Sequence, residues 1–299
     1  MKIKKNMSKI LGVMLSLALL FSMAIVAVPV SAEPGENEWD DIDMPDIQLD
    51  TDVGVMAFAP DGSIIYLSVY DEDEEGWSVY KSDDDAFSWD ETSLNYDDVS
   101  ALEDEDETIV DIVVSPDYAT DELIYVATTS GYIYRVEDEG EGDVTLLKEI
   151  EDSDGDNPDV LYDIDLWSDG TDIYILAATD IDVFILQDAL FKSWIDQGLG
   201  EAAYMAAYAP DFGTSEVIWA IADDGSEDFE VTSTVGAGRW GELWDPADAG
   251  DLGSTEVSAN VDLAFPDDYD GDAPVLYVAL SDDDGAAQGN LYQIAVDEY

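Results

Sequence analysis

One phrase recurs five times along this chain, and a repeat of that kind constrains the fold more than any local propensity does. An apolar strand ends in a turn, and a second strand carrying an aromatic follows. The copies are Met56 to Asp61 with Ile64 to Ser68, Ile112 to Asp117 with Leu123 to Thr128, Ile164 to Asp169 with Ile173 to Ala177, Ala206 to Asp211 with Val217 to Ile221, and Asp262 to Asp267 with Val275 to Ala279. Their turn anchors Pro60, Pro116, Ser168, Pro210 and Pro266 stand 56, 52, 42 and 56 residues apart. Each copy adds a third strand, at Trp77 to Ser82, Tyr132 to Glu137, Val183 to Gln187, Phe229 to Ser233 and Asn290 to Ala295. A fourth follows at Val144 to Ile150 and near Trp89, Trp194 and Trp240. Clusters of Asp, Glu, Gly and Ser between the strands supply turns through side-chain hydrogen bonds to the backbone and positive φ at Gly.

Four short strands per repeat fit an antiparallel meander, and one such sheet cannot bury both of its faces alone. Neighbouring sheets therefore stack about an axis, which also shields their edges. The expected fold is all-β: a β-propeller of about five four-stranded antiparallel blades, or an arc of a larger propeller, after a signal peptide. The blades are expected at about 51–100, 101–152, 153–200, 201–250 and 251–299. The last copy stops after its third strand. Met44 to Leu49, within an acidic segment at 33–50, is the candidate closing strand, although Pro45 weakens it in that role. A ring closed through this segment and an open arc remain alternatives.

Charge decides what such a scaffold can meet. The chain carries 9 Lys+Arg against 73 Asp+Glu, a formal charge of −64, with neither His nor Cys. That balance excludes a basic footprint for nucleic acid. It also excludes disulfides, thiolate nucleophiles, His-dependent triads and thiolate or imidazole zinc sites. Chemistry must rest on carboxylates, hydroxyls and Tyr. Four of the bases, Lys2, Lys4, Lys5 and Lys9, precede an uncharged stretch from Ile10 to Val28, and Val30-Ser31-Ala32 ends in small residues. This pattern predicts a signal peptide over 1–32, cut after Ala32, and an extracellular or cell-surface product with no membrane insertion after cleavage.

Lys81-Ser82-Asp83-Asp84-Asp85-Ala86-Phe87-Ser88-Trp89 resembles the Asp-box S-x-D-x-G-x-T-W of sialidase-like and sortilin-like β-propellers, exported bacterial proteins among them. Ser82, Asp84, Ser88 and Trp89 match, while Ala86 stands where Gly is usual. The resemblance implies a structural hairpin between third and fourth strands, with the Asp outward and the Trp between blades. Ser233 to Trp240 is a degenerate echo with Val235 in place of Asp. Sialidase activity is not implied, because those enzymes hold the substrate carboxylate with three Arg, and past the leader this chain has only Arg135 and Arg239.

Two loops share the pattern D-x-D-G-D-x-P. The first places Asp152, Asp154 and Asp156 before Pro158 and continues to Asp159; the second places Asp268, Asp270 and Asp272 before Pro274. Alternate carboxylates about a central Gly suit calcium, a hard cation that takes six to eight oxygens. The first loop is similar to the Asp-rich calcium loops of extracellular thrombospondin-type repeats. Calcium is thus the expected cofactor, ordering loops rather than reacting.

Asp111, Asp163 and Asp262, on first strands, are the candidates for facing a central channel. Asp111 and Asp163 lie five residues before their turn anchors and Asp262 four before, so strand alternation sends Asp262 to the other face. Tyr66, Tyr125, Trp219 and Tyr277 on the second strands read as core rather than as a stacking platform. The sequence therefore predicts a secreted, non-enzymatic β-propeller with no catalytic residues, a structural or binding module whose partner is a cell-surface protein or polysaccharide. The alternative is a secreted glycoside hydrolase or lyase using channel-facing carboxylates. Acids in a roomy cleft would favour the enzyme, and a packed or shallow channel the module.

Overall fold

In the computed structural model, the described residues are 51–71, 75–84, 86–103, 107–137, 142–151, 157–189, 192–223, 229–235, 245–246, 257–266, 268–269, 275–282 and 289–295. Their strands form successive antiparallel meanders. The first sheet is β1 (Thr51–Phe58), β2 (Ile65–Asp71), β3 (Gly76–Ser82) and β4 (Asp90–Glu91). The second is β5 (Ile109–Val114), β6 (Leu123–Thr128), β7 (Ile133–Glu137) and β8 (Val144–Leu146). The third is β9 (Leu161–Ser168), β10 (Ile173–Thr179), β11 (Val183–Gln187) and β12 (Ile195–Asp196). The fourth is β13 (Ala203–Tyr208), β14 (Val217–Asp223), β15 (Phe229–Val235) and β16 (Asp245–Pro246). The fifth has three strands among the described residues, β17 (Val257–Ala264), β18 (Val275–Asp282) and β19 (Gly289–Ala295).

The fold is all-β, with these sheets as propeller blades inside one compact unit, Asp43–Tyr299. First strands neighbour one another in chain order, β1 on β5, β5 on β9, β9 on β13 and β13 on β17. Among the described residues β17 makes no comparable contact with β1. The candidate closing strand at 44–49 lies outside the described residues.

Period-two alternation sorts each strand's side chains between its two neighbours. On β6, Ile124 and Val126 pack towards the first sheet with Tyr66, Trp77 and Leu94, while Tyr125 and Ala127 pack towards the third with Ile175, Phe184 and Trp194. Trp219, Ile221 and Val231 meet Leu263, Leu276 and Val278 in the same way. Tyr66, Tyr125 and Trp219 are fully buried, so those three aromatics are core, as the β-branched company they keep implies; Tyr277 is half-buried.

Two turns hold four-residue helices, α1 (Tyr118–Asp121) and α2 (Phe212–Ser215), each closed by a left-handed Glu, Glu122 at φ 52° and Glu216 at φ 55°. Four residues are too few to leave a helical period in the sequence. The helices carry aromatics back onto the preceding blade. Tyr118 shares a 2.6 Å hydrogen bond with Tyr66, and Phe212 meets Trp167 edge-on at 4.9 Å. At the third turn, where the anchor spacing falls to 42 residues, Ser168 instead donates its hydroxyl proton to Asp117 of the second blade.

Candidate active site

The first strands of all five blades carry an irregularity near their start: between Val53 and Met56 on β1, Ile109 and Asp111 on β5, Leu161 and Asp163 on β9, Ala203 and Met205 on β13, and Val257 and Val261 on β17. A bulge inserts one residue and re-aims the side chain that follows it. The residue after the irregularity is Met56, Asp111, Asp163, Met205 and Val261 in turn. Only the second and third of these blades place a carboxylate there. Asp165, two residues beyond Asp163, points to the same face of β9.

These carboxylates bridge neighbouring first strands. Asp111 Oδ1 accepts from the Ile112 N–H at 2.8 Å, and its Oδ2 accepts from the Ile164 N–H at 3.4 Å on the third blade. Asp163 accepts from the Ala206 N–H at 3.2 Å. Asp165 accepts from its neighbour Leu166 and from Tyr208 on the fourth blade, both at 2.8 Å. Residues i and i+2 of β9 thus reach residues i and i+2 of β13. Among the described residues no strand ladder joins adjacent blades, so these side-chain rungs help to fix the spacing of the strands that frame the cavity.

The cavity has a volume of about 600 Å³ and is walled by Asp111, Asp163, Asp165, Trp167, Met205 and Tyr208, among others. Burial dominates its electrostatics. It pushes the Asp111 carboxyl up to about 6, against the two N–H donors and with a further push from the charge of Asp165. Asp165 is likewise raised to about 6 by burial, opposed by the N–H groups of Tyr208 and Leu166. Asp163 is raised well above the ordinary carboxylate range, first by burial and then by the charge of Asp111. A side-chain hydrogen bond joins Asp111 and Asp163, so the two share a proton. Two carboxyls in contact cannot both ionise at low cost, so they titrate as one unit. The cavity thus sets a carboxyl of strongly raised proton affinity beside two others raised to about 6, an arrangement suited to acid–base chemistry.

Asp262 lines the same cavity from β17 and is exposed there, despite its different register. Asp165 was missing from the sequence-based candidates. Its signal was present in Asp163-Ile164-Asp165, an alternation that puts two acids on one strand face.

The Asp-box residues are knit together at the β3–β4 hairpin. Asp84 accepts from the Ser82 hydroxyl at 3.0 Å, from the Ser88 N–H at 2.8 Å and from the Ser88 hydroxyl at 2.7 Å. The Ser88 bonds are the main reason that its carboxyl lies below the usual range. Ala86 adopts φ 64° while its N–H donates to Ser82, and Trp89 is half-buried. Of the calcium-loop residues, Asp159 and Asp268 are exposed, and Asp152, Asp154, Asp156, Asp270 and Asp272 lie outside the described residues. Among the described residues no group of three or more acidic side chains is gathered to hold a metal ion, and no helix is long and apolar enough to cross a membrane.

No protein-family model matches the chain, and no curated protein matches it. Solved structures similar to it include a puromycin hydrolase, at 15% identity and a TM-score of 0.45, over 77% of this chain and 34% of that one. The periplasmic gluconolactonase of Pseudomonas aeruginosa is 14% identical with a TM-score of 0.41, over 68% of this chain and 58% of that one. A thermostable family-43 glycoside hydrolase is 11% identical with a TM-score of 0.40, over 83% and 91% of the two chains. The chain therefore spans about a third of the hydrolase's length and somewhat over half of the lactonase's. The expectation of a non-enzymatic module without catalytic residues is corrected at this point. The first strands bring three carboxylates with raised proton affinity to the wall of a roomy cavity rather than to a packed or shallow channel.

Proposed function

We propose that the protein is a carboxylate-dependent glycoside hydrolase acting on a neutral glycan. The observation that supports this reading most directly is the Asp111–Asp163 pair, its proton affinity raised by burial, with Asp165 two residues from Asp163 and all three lining one cavity. In the proposed reaction Asp163 gives its proton to the leaving oxygen as the glycosidic C–O bond breaks, and Asp165 takes a proton from the attacking water. Asp111 sets the proton affinity of Asp163. Residues two apart on a strand are separated by roughly 6.5 Å along it, which leaves room for one water between acid and base. The transition state resembles an oxocarbenium cation, which a negative wall stabilises. A net charge of −64 disfavours anionic substrates over long range.

The test is release of reducing ends from neutral oligosaccharides and aryl glycosides. Asp163→Asn keeps an oxygen to accept the Ala206 N–H but cannot donate its proton as an acid. It is expected to lower kcat at least ~100-fold, the scale of general acid–base catalysis, with an unchanged melt. Asp165→Asn is expected to do the same. Wild-type protein inactive on the whole panel, or Asp163→Asn as active as wild type, rejects the reading.

The same reading places the enzyme outside the cell after cleavage following Ala32. It treats Ser82, Asp84, Ser88 and Trp89 as an Asp-box hairpin with a structural role. It assigns calcium to the two D-x-D-G-D-x-P loops, the first of which ends at Asp159, four residues before Asp163. Terminal sequencing of the exported protein tests the first point, with Glu33 as the expected first residue.

A further inference from the structure

A second cavity, of about 400 Å³, lies between the third and fourth blades, on residues that the proposed chemistry does not use. Trp167, Tyr174 and Phe212 form its aromatic walls, while Gln187, Ser193 and Asp169 supply polar edges. Trp167 is clamped by its neighbours, with Tyr174 at 5.2 Å and Phe212 at 4.9 Å between ring centres. Gln187 is oriented by donating to Asp172 at 2.7 Å, and Tyr174 is hydrogen-bonded to Asp169. The groove is therefore rigid and amphipathic.

Its lining is particular to this junction. At the junction of the first and second blades a groove of about 380 Å³ is walled by Pro60, Asp61, Ser63, Lys81, Pro116 and Tyr118, with a single aromatic. Both grooves lie beside a short turn helix, and of the two only the groove between the third and fourth blades has a Trp–Tyr–Phe wall. Tyr208 adds an independent sign of a ligand. It is 6% exposed, its hydroxyl has no hydrogen-bond partner, and it lines both this groove and the carboxylate cavity. A buried polar atom without a partner is costly unless something supplies one. Trp167 also lines both cavities, so the groove and the proposed reaction centre share two side chains.

We propose that this groove binds a neutral sugar residue of a glycan chain, with its C–H face against Trp167 and Tyr174 and its hydroxyls on Gln187, Ser193 and Asp169. Flat aromatic walls with a few fixed polar groups are what a ring with an apolar face and polar edges requires. The surrounding carboxylates disfavour an anion, and Lys192 at the rim disfavours a cation. The glycan class rests on the reading of the neighbouring carboxylates as a glycoside hydrolase centre; the groove itself stands on its own residues.

The experiment is titration of the protein with cellohexaose, xylohexaose and mannohexaose, followed by tryptophan fluorescence and calorimetry, with tetramethylammonium as a cationic control. Three variants are compared: Asp163→Asn, Trp167→Ala, and Ser193→Trp, which fills the groove from an exposed position without disturbing the core. At least one hexasaccharide is expected to bind, with affinity kept in Asp163→Asn and reduced at least ~10-fold in both groove variants, in proportion to one lost stacking contact. No binding of any sugar, unchanged binding in Ser193→Trp, or binding of tetramethylammonium alone overturns the inference. Binding lost in Asp163→Asn but kept in Ser193→Trp also overturns it, by moving the sugar to the carboxylate cavity. Binding as expected in a protein without hydrolytic activity upholds the groove and rejects the enzymatic reading.

Discussion

Arg135 Nη1 donates to both carboxylate oxygens of Asp188 at 3.2 Å, joining the second blade to the third across 53 residues of sequence. The Tyr125 hydroxyl donates to the same carboxylate at 2.6 Å, and the resulting shield of negative charge is one reason that its own proton is held tightly, after burial. Asp188 is only 10% exposed, so removing it strands a cation and a phenol together. Asp188→Ala is expected to destabilise the protein by about 3 kcal/mol and Tyr125→Phe by about 1 kcal/mol, measured by urea unfolding. A loss under about 0.5 kcal/mol in Asp188→Ala would mean that the bridge does not hold the junction, because it would match an exposed ion pair.

Acidity is expected to stabilise this protein across a defined window. Asp111 and Asp165 titrate at about 6 when folded, against about 3.9 in an unfolded chain. Between those values the native state holds more protons than the unfolded one, so stability falls as pH rises from about 4 to about 6. Asp61 and Asp84 act in the opposite sense, held low by Ser63 and Ser88, but they do so at the exposed surface. Thermal melts are expected to drop between pH 4.5 and 7 by the equivalent of a few kcal/mol, on the order set by shifts of this size. Asp111→Asn should flatten the slope. A melting point that rises over the interval would show that the buried carboxyls do not govern it.

At Ala86 the hairpin holds an L-residue at φ 64°, in the region where a Cβ is strained. Ala86→Gly relieves roughly 1–2 kcal/mol of that strain and gives up part of one buried methyl, worth about 0.8 kcal/mol. The expected outcome is a gain of up to about 1 kcal/mol in chemical denaturation. A loss of stability would place the methyl contacts above the backbone term.

Calcium at the D-x-D-G-D-x-P loops is separable from simple charge screening. Monovalent salt is expected to raise the melting point by relieving self-repulsion at a charge of −64. At fixed ionic strength, added calcium should raise it further and EDTA should reverse that part. Equal midpoints with EDTA and with calcium at the same ionic strength would remove the metal from the account.

The strands were legible in the sequence because their causes are local. The β-branched and aromatic run Leu123 to Thr128, and turn chemistry after Pro116, specify a strand and its start without reference to distant residues. The site depends on what is not local. The irregularities before Asp111 and Asp163 shift the register by one residue and leave no compositional mark. Asp165 matters because Tyr208, on another blade, offers it an N–H. Asp262, which alternation sent to the far face, reaches the cavity because the cavity extends to β17. The expectation of a non-enzymatic structural or binding module failed at the same point, since no single repeat contains more than part of the carboxylate cluster.

Every hydrogen-bonded ladder in the described sheets joins strands that follow each other directly along the chain, from β1 through β19. A polypeptide delivered end-first, by a ribosome or an export pore, can thus finish one vane before the next emerges. Such vectorial assembly needs few long loop closures and leaves few bare edges waiting for partners, which favours quick maturation and little aggregation along the way.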